Sequence, residues 1–446
     1  MIRTGRNVSG QPAAFSILGA RLMDPWSGMD RLDDLHVADE RIVAVGAAPE
    51  GFSAERRIDG KGLVLSPGFI DLSARMREPG FEYKASLNSE MHAAVAGGVT
   101  ALVCPPDTDP ALDEPGLVEM LKYRAYDLGL AHLFPLGALT VGLKGQALTE
   151  MSELTEAGCV GFAQASVPVE DTRAVMRAMQ YAHSYGYSVW LNPVDPFLGR
   201  GGVMHAGPVA ARLGLPGNPV VSEVVALHTL CELVAAVRCR LHLCRLSSAA
   251  GVELVRKAKQ TGLPITADVA VHHLHLSEMD VSFFDTFHRV EPPFRSLRDR
   301  DALRAGVLDG TIDAICSDHT PVVEDAKRMP FGEAEPGVTG LELLLPLSLK
   351  WANELGQGLM PMLERLTRIP AGIAGIDPAA KGQPAGLTVG AAADLCLFDP
   401  NEHWVVSEDS LWSQGKDTPF LGREVQGRVR LTVVSGRLVF EALGEA

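Results

Sequence analysis

No segment of this 446-residue sequence runs eighteen apolar residues without a charge or a breaker. The stretch from Met1 to Ala13 carries two arginines but nothing like the apolar centre of a secretion signal. Neither a membrane span nor a signal peptide is therefore expected. Positive charge is also scarce: 40 Lys and Arg stand against 55 Asp and Glu, a net charge of -15. That balance opposes attraction to phosphate backbones and anionic lipid, so neither nucleic acid nor membrane is expected as a partner. There is no C-x-x-C pair; the seven cysteines (Cys104, Cys159, Cys231, Cys239, Cys244, Cys316 and Cys396) are odd in number and widely spaced. Free, mostly buried thiols and a cytoplasmic location fit that usage. Gly97-Gly98 lacks the lysine and the serine or threonine of a phosphate loop, and it follows a helical stretch instead of opening one, so it reads as a helix C-cap.

What is present is 46% hydrophobic residues over a length that accommodates one large core and a satellite domain. Near the start, short apolar runs such as Phe15–Leu18 and Ile42–Val45 are separated by turn clusters such as Asp24-Pro25-Trp26-Ser27-Gly28. Near the end, Ala392–Phe398 and Leu431–Val439, with Ser435-Gly436 inside the latter, show the same habit. Two β-rich ends, 1–65 and 383–446, are expected to form one composite β-domain around a middle of 66–382. That middle alternates strand-like runs with amphipathic stretches, the pattern of a parallel α/β fold. Eight strand candidates appear: Gly68–Leu72, Thr100–Cys104, Ala131–Leu136, Cys159–Gln164, Tyr187–Asn192, Arg240–Leu246, Pro264–Val269 and Asp313–Ser317. Eight suggest a closed barrel. Between them, Tyr83–Ala96, Asp171–Tyr185, Ser222–Val237 and Ala249–Gln260 carry apolar residues at helical spacing.

In an α/β barrel the reacting groups come from the C-terminal ends of the strands and the loops after them. The string that contains the first strand candidate, PGFIDLSARMREPGFEYK, resembles the first-strand signature of dihydroorotase, a metal-dependent amidohydrolase of pyrimidine synthesis. Further similar stretches include AAVAGGVTALVCPP, HHLHLSEMD, EPPFRSLRDRDALRAGVLDGTIDAICSDHTP and the closing GLTVGAAADLCLFDP. The resemblance implies an α/β fold, a (β/α)8 TIM-type barrel of the amidohydrolase kind with a small composite β-sandwich domain from both termini.

It also implies where zinc and substrate sit in intact members, and here the residues differ. The two first-strand histidines correspond to Ser73 and Arg75, and the fourth-strand carboxylate or carboxylated lysine to the Gln164-Ala165 region. The fifth-strand histidine corresponds to Asn192 and the sixth-strand histidine to Arg245; only the eighth-strand aspartate, Asp318, remains. A hydrolytic zinc needs about three protein ligands from His, Cys, Asp or Glu, and a guanidinium cannot serve. No cofactor is expected, and Asp318 is expected to be a catalytic vestige.

On the substrate side, Arg77 matches the family's carboxylate-binding arginine, while Asp107 and Glu291 replace asparagines with charges that would repel an anion. Arg75 and Arg245 are expected to neutralise Asp318, or to form an anion-binding pocket with Arg77. The adjacent His272-His273 are expected on a strand, facing opposite ways, with structural roles. His92, His183 and His228, in helical stretches, are expected at the surface or in packing.

Three functions follow from this reading. The first is a non-catalytic dihydroorotase-like protein that forms a homo-oligomer and acts as structural partner of aspartate transcarbamoylase. The second is an active cyclic amidohydrolase with an atypical site, and the third an anion-sensing binding protein.

Overall fold

The computed structural model describes residues 14–442, so Met1 to Ala13 lie outside the described residues. All eight strand candidates form strands: Phe69–Asp71, Val99–Cys104, His132–Pro135 continuing as Gly137–Ala138, Phe162–Ala163, Ser188–Leu191, Arg240–Leu243, Ile265–Ala270 and Ala314–Cys316. Each pairs in parallel with the next. The eighth returns to the first through a parallel bridge between Ala74 and His319, in which Arg75 N donates to His319 O at 2.9 Å and His319 N to Ser73 O at 3.1 Å. Asp71 reinforces the seam, accepting from Ser317 N at 2.8 Å and from the Ser317 hydroxyl. The barrel is thus closed at the residues where the chemistry was expected.

Alternation along these strands builds two packed layers. Inward-facing Leu72, Val103, Leu136, Ala163, Trp190, Ala270 and Cys316 fill the barrel, while a larger cluster including Leu102, Phe162, Leu243 and Val269 packs outward on the helices. The first long helix begins at Leu87, four residues later than its apolar spacing suggests, because the Ser86 hydroxyl accepts from Ser89 N at 3.1 Å and stops the helix there. Asp171 caps the Thr172–Tyr185 helix in the same manner. Gly97 is the C-cap of the first helix.

The β-rich ends join. Leu395–Val405 lies antiparallel to Val64–Pro67, with Leu397 opposite Leu65, and continues a sheet of eight strands drawn from both ends of the chain. Phe15, Ile17, Leu35, Leu395, Leu397 and Val433 form its own apolar core. Because Val64–Pro67 belongs to this sheet, the β-domain ends two residues beyond the expected boundary at 65.

Candidate functional site

The ends of strands one, four, six and eight converge on a buried ionic cluster. Asp318 lies at its centre, its side chain 6% exposed. One carboxylate oxygen accepts from Arg245 Nη1 at 2.8 Å, Arg75 Nη1 at 3.4 Å and Ser73 Oγ at 3.3 Å. Arg75 extends the cluster, with Nε on Asp107 at 2.7 Å and Nη1 on Thr320 Oγ1 at 3.0 Å. Ser166 Oγ accepts from both guanidiniums, Arg75 Nη2 at 3.2 Å and Arg245 Nη2 at 3.1 Å. Arg245 also donates to the Glu291 carbonyl at 3.3 Å. Burial disfavours the charged form of Arg245, but the neighbouring acidic groups, Asp318 foremost and Asp268 among them, together outweigh it and the guanidinium pKa is raised. Burial would raise the Asp107 pKa, yet the Arg75 charge and hydrogen bond hold it below the usual carboxylate range.

The backbone here is unusual. Arg77, Ala165, Arg245 and Asp318 all have positive φ, 62°, 50°, 57° and 48°. Left-handed backbone costs a residue with a Cβ about 1–2 kcal/mol, and such conformations cluster where loops turn sharply to aim side chains into a site.

Similarity to known proteins follows the same outline. A family model described as Dihydro-orotase-like matches residues 62–250. A dihydroorotase-like protein of Pseudomonas putida is 44% identical over 95% of this chain and 98% of its own length. A protein named dihydroorotase from Geobacter sp. (strain M21) is 38% identical over 96% of this chain and 99% of its own. The chain belongs to the dihydroorotase-like family. Among solved structures, an L-hydantoinase from Arthrobacter aurescens superimposes with a TM-score of 0.83 over 96% of both chains at 24% identity, which establishes the barrel and β-sandwich fold and nothing further.

Set against the family's site, the positions divide. Ser73, Arg75, Arg245 and Asp318 meet in the ionic cluster, whereas Gln164 does not. Its amide is used inside the third loop, accepting from Thr140 Oγ1 at 2.9 Å and donating to Leu143 O at 2.7 Å. Asn192 lines a space beside Arg245 and Ser166 of about 10 Å³, room for about one water. Two substrate-side expectations need correcting. Asp107 does not stand as a free repelling charge, because Arg75 is paired with it. Glu291 contributes its carbonyl, and the residue itself is exposed. Arg77 donates Nε to Pro321 O at 2.9 Å, and its buried Nη2 has no hydrogen-bond partner among the described residues. Burial, then the neighbouring Arg75, lower its pKa. It does not join Arg75 and Arg245 around Asp318.

As a zinc site these residues do not fit. A metal would find one carboxylate, already shared by two guanidiniums and a hydroxyl, besides a serine and two amides. Deeper in the barrel, donor atoms of His242, Cys244 and Asp268 lie within 4.8 Å of one another. There both imidazole nitrogens are engaged, with Asp268 Oδ2 at 2.9 Å and Thr266 Oγ1 at 2.8 Å, and burial followed by Asp268 raises the Cys244 thiol pKa well above its usual value. Asp268 also accepts from Arg245 N at 2.6 Å, so this group holds the sixth strand's end in place.

The histidines resolve as structural. His319 turns away from Asp318, pairing Nε2 with Glu90 at 2.6 Å and accepting Gly340 N at 3.1 Å through Nδ1, so its proton sits on Nε2. His272 and His273 are not on a strand. They form a 3-10 turn after the seventh strand with ring centroids 4.8 Å apart, both against Phe294. Burial, then Arg245, push the His272 pKa down to about 3. His183 and His228 are exposed and His92 is half-buried. Sequence reasoning missed Ser166 and Thr320, the hydroxyls that organise the guanidiniums; both lie within two residues of positions it did select, but their residue type carries no signal.

Proposed function

We propose that this chain is a non-catalytic member of the dihydroorotase-like family, in which the metal ligands have been replaced and the barrel serves as a structural partner of aspartate transcarbamoylase. The observation that carries this reading is the pairing of Asp318 with Arg245 and Arg75. Two guanidiniums supply positive charge to the carboxylate from the positions where intact members carry metal-binding histidines. Hydrolysis of a cyclic amide at neutral pH requires a water acidified by a metal, from a pKa of ~16 to ~7. A guanidinium neutralises a carboxylate but has no open coordination position for water. An active enzyme with an atypical ligand set would have to break this cluster first. The anion-sensing reading is weakened likewise, since Arg75 and Arg245 are engaged by carboxylates and Arg77 lies apart from them.

A barrel with a filled mouth still offers its outer helices for assembly, and stable interfaces bury on the order of 1,200–2,000 Å². Placement in pyrimidine synthesis rests on the family resemblance. The test is co-expression of the aspartate transcarbamoylase of the same organism with and without this chain, followed by measurement of its mass, melting point and activity. Co-elution at micromolar concentration with a stabilised transcarbamoylase supports the proposal. An unchanged transcarbamoylase that never co-elutes overturns it.

A further inference from the structure

A second cavity lies outside the ionic cluster. It has a volume of about 230 Å³ and is enclosed by the loops after the fourth and fifth strands, the Thr172–Tyr185 helix and the Val220–Val237 helix. The last of these is a firm wall: Leu227, Leu230 and Val234 enter the core, and buried Glu223 accepts from Ser247 N at 3.0 Å, Ser248 N at 3.1 Å and Ser248 Oγ at 2.6 Å. Val175, Leu191, Leu230 and Leu233 make the body of the cavity apolar, and Val167 and Phe197, 45% and 60% exposed, form its rim. An apolar cavity of about 150 Å³ holds a benzene ring, so in proportion this one has room for about nine non-hydrogen atoms.

The inner end of the cavity is polar, and its hydrogen bonds are incomplete. Ser166 and Asn192 line both this cavity and the small space beside Arg245, so they stand where the two meet. Ser166 Oγ accepts from Arg75 Nη2 and Arg245 Nη2, which occupies both of its lone pairs. Its own proton has no acceptor among the described residues. The Asn192 backbone carbonyl accepts from Val194 N at 2.9 Å, but its side-chain amide has no hydrogen-bond partner among the described residues. Charge narrows the ligand further. Behind Ser166, Arg75 and Arg245 are matched by Asp107 and Asp318, which leaves no spare positive charge for an anionic head. Among the described residues no cationic side chain lines the cavity. Of its two carboxylates, Glu170 pairs with Arg200 at 2.6 Å, and Asp195 Oδ1 accepts from Phe197 N at 2.9 Å and Leu198 N at 2.8 Å. A charged group would lose its water here without a counter-charge, and a cationic head could not accept the Ser166 proton. We propose that this cavity binds an uncharged, mostly apolar small molecule of that size, whose carboxamide-like head accepts from the Ser166 hydroxyl and pairs with the Asn192 amide. Such binding requires neither hydrolysis nor the transcarbamoylase.

The probe is benzamide, titrated against the full chain and followed by ligand-detected NMR, with benzoate and benzylamine as charged molecules of nearly the same shape. Benzamide should bind saturably, in the millimolar range or tighter, and both charged probes at least about tenfold more weakly. Ala226→Phe, which fills the cavity from a half-buried position on the Val220–Val237 helix, should abolish binding. Asn192→Leu removes the amide but keeps its bulk. It should weaken benzamide at least about tenfold while leaving toluene, which has no head group, within about twofold of its wild-type affinity. Unchanged melting curves verify that both variants fold. Absence of saturable benzamide binding overturns the proposal, as does binding untouched by Ala226→Phe. Benzoate or benzylamine bound as tightly as benzamide overturns the uncharged ligand, and benzamide binding indifferent to Asn192→Leu overturns the placement of its head.

Discussion

Replacing Asp318 with alanine removes the carboxylate that two buried guanidiniums share. Arg75 retains Asp107 at 2.7 Å, so the loss falls mainly on Arg245, whose side chain is 5% exposed. Among the described residues its remaining side-chain partners are the Glu291 carbonyl at 3.3 Å and the Ser166 hydroxyl at 3.1 Å, neither charged, and its Nε has none. Breaking a buried ion pair by deleting one member costs about 3–5 kcal/mol, because the survivor stays desolvated and unpaired. Asp107 and Ser166 temper this, so the lower half of that range is expected. With an unfolding entropy of about 2 cal/mol/K per residue, a chain of this size loses roughly 1 °C of melting temperature per kcal/mol. Asp318→Ala should therefore melt about 3–4 °C lower in differential scanning calorimetry. The second half of the test is Asp318→Ala with Arg245→Met, which removes both charges and fills the space with an apolar side chain. Buried pairs replaced whole are often neutral or stabilising, so the double variant should recover most of the loss. An Asp318→Ala protein that melts like wild type, or a double variant as unstable as the single, would refute the reasoning that burial makes this pair interdependent.

Purified without added metal, the protein should carry no stoichiometric zinc by elemental analysis, and zinc that disappears in Asp318→Ala would contradict the reading of the cluster. Dihydroorotate hydrolysis should stay at the buffer rate near neutral pH, and Arg75→His alone should not create it, since the ligands of one metal site act as a unit; turnover that co-purifies with the protein and vanishes in Asp318→Asn would show an active site. Burial pushes the pKa of Asp71 up to about 7, against the Ser317 hydrogen bonds, and that of Glu342 up to about 7 likewise. The folded state therefore holds protons that the unfolded chain releases near pH 4, so their stabilisation is full below pH 4 and is lost as pH rises through 7. Denaturant unfolding should show that fall, flattened in Asp71→Asn; equal slopes in both proteins would count against it. Glu223→Ala should strip the Ser247-Ser248 backbone amides of their acceptor and lower stability by about 2–4 kcal/mol, read by the same unfolding curves.

Much of the architecture was legible in the order of residues. Periodicity placed all eight barrel strands, because inward and outward faces of a closed barrel are both buried and each strand is a short apolar run between helical stretches. The start of the first helix was misjudged because the apolar spacing continues through Tyr83, whereas the end is decided by the Ser86 hydroxyl. His272-His273 were expected on a strand because the apolar run leads into them, but the chain turns immediately after Ala270.

For the site, sequence determined which chemical groups are available. Ser73, Arg75, Asn192 and Arg245 stand at strand ends, and no arrangement of the fold can make a guanidinium a zinc ligand. Residue type also ensured that Asp318 would need a cation nearby, since a buried carboxylate is costly without one. Tertiary structure decided how those groups are shared. That Asp107 anchors Arg75 instead of standing free depends on contacts between residues 32 apart in the chain. That Gln164 turns to Thr140 and Leu143, that His319 points to Glu90, and that Arg77 stands apart from the cluster follow from loop conformations, several at positive φ, that no local pattern specifies. The apolar Val220–Val237 helix makes the same point. Its composition is plain in the sequence, but which of its sides the barrel covers is set by packing, because its apolar residues are spread around the helix and its polar ones, buried Glu223 and exposed His228, do not share one face.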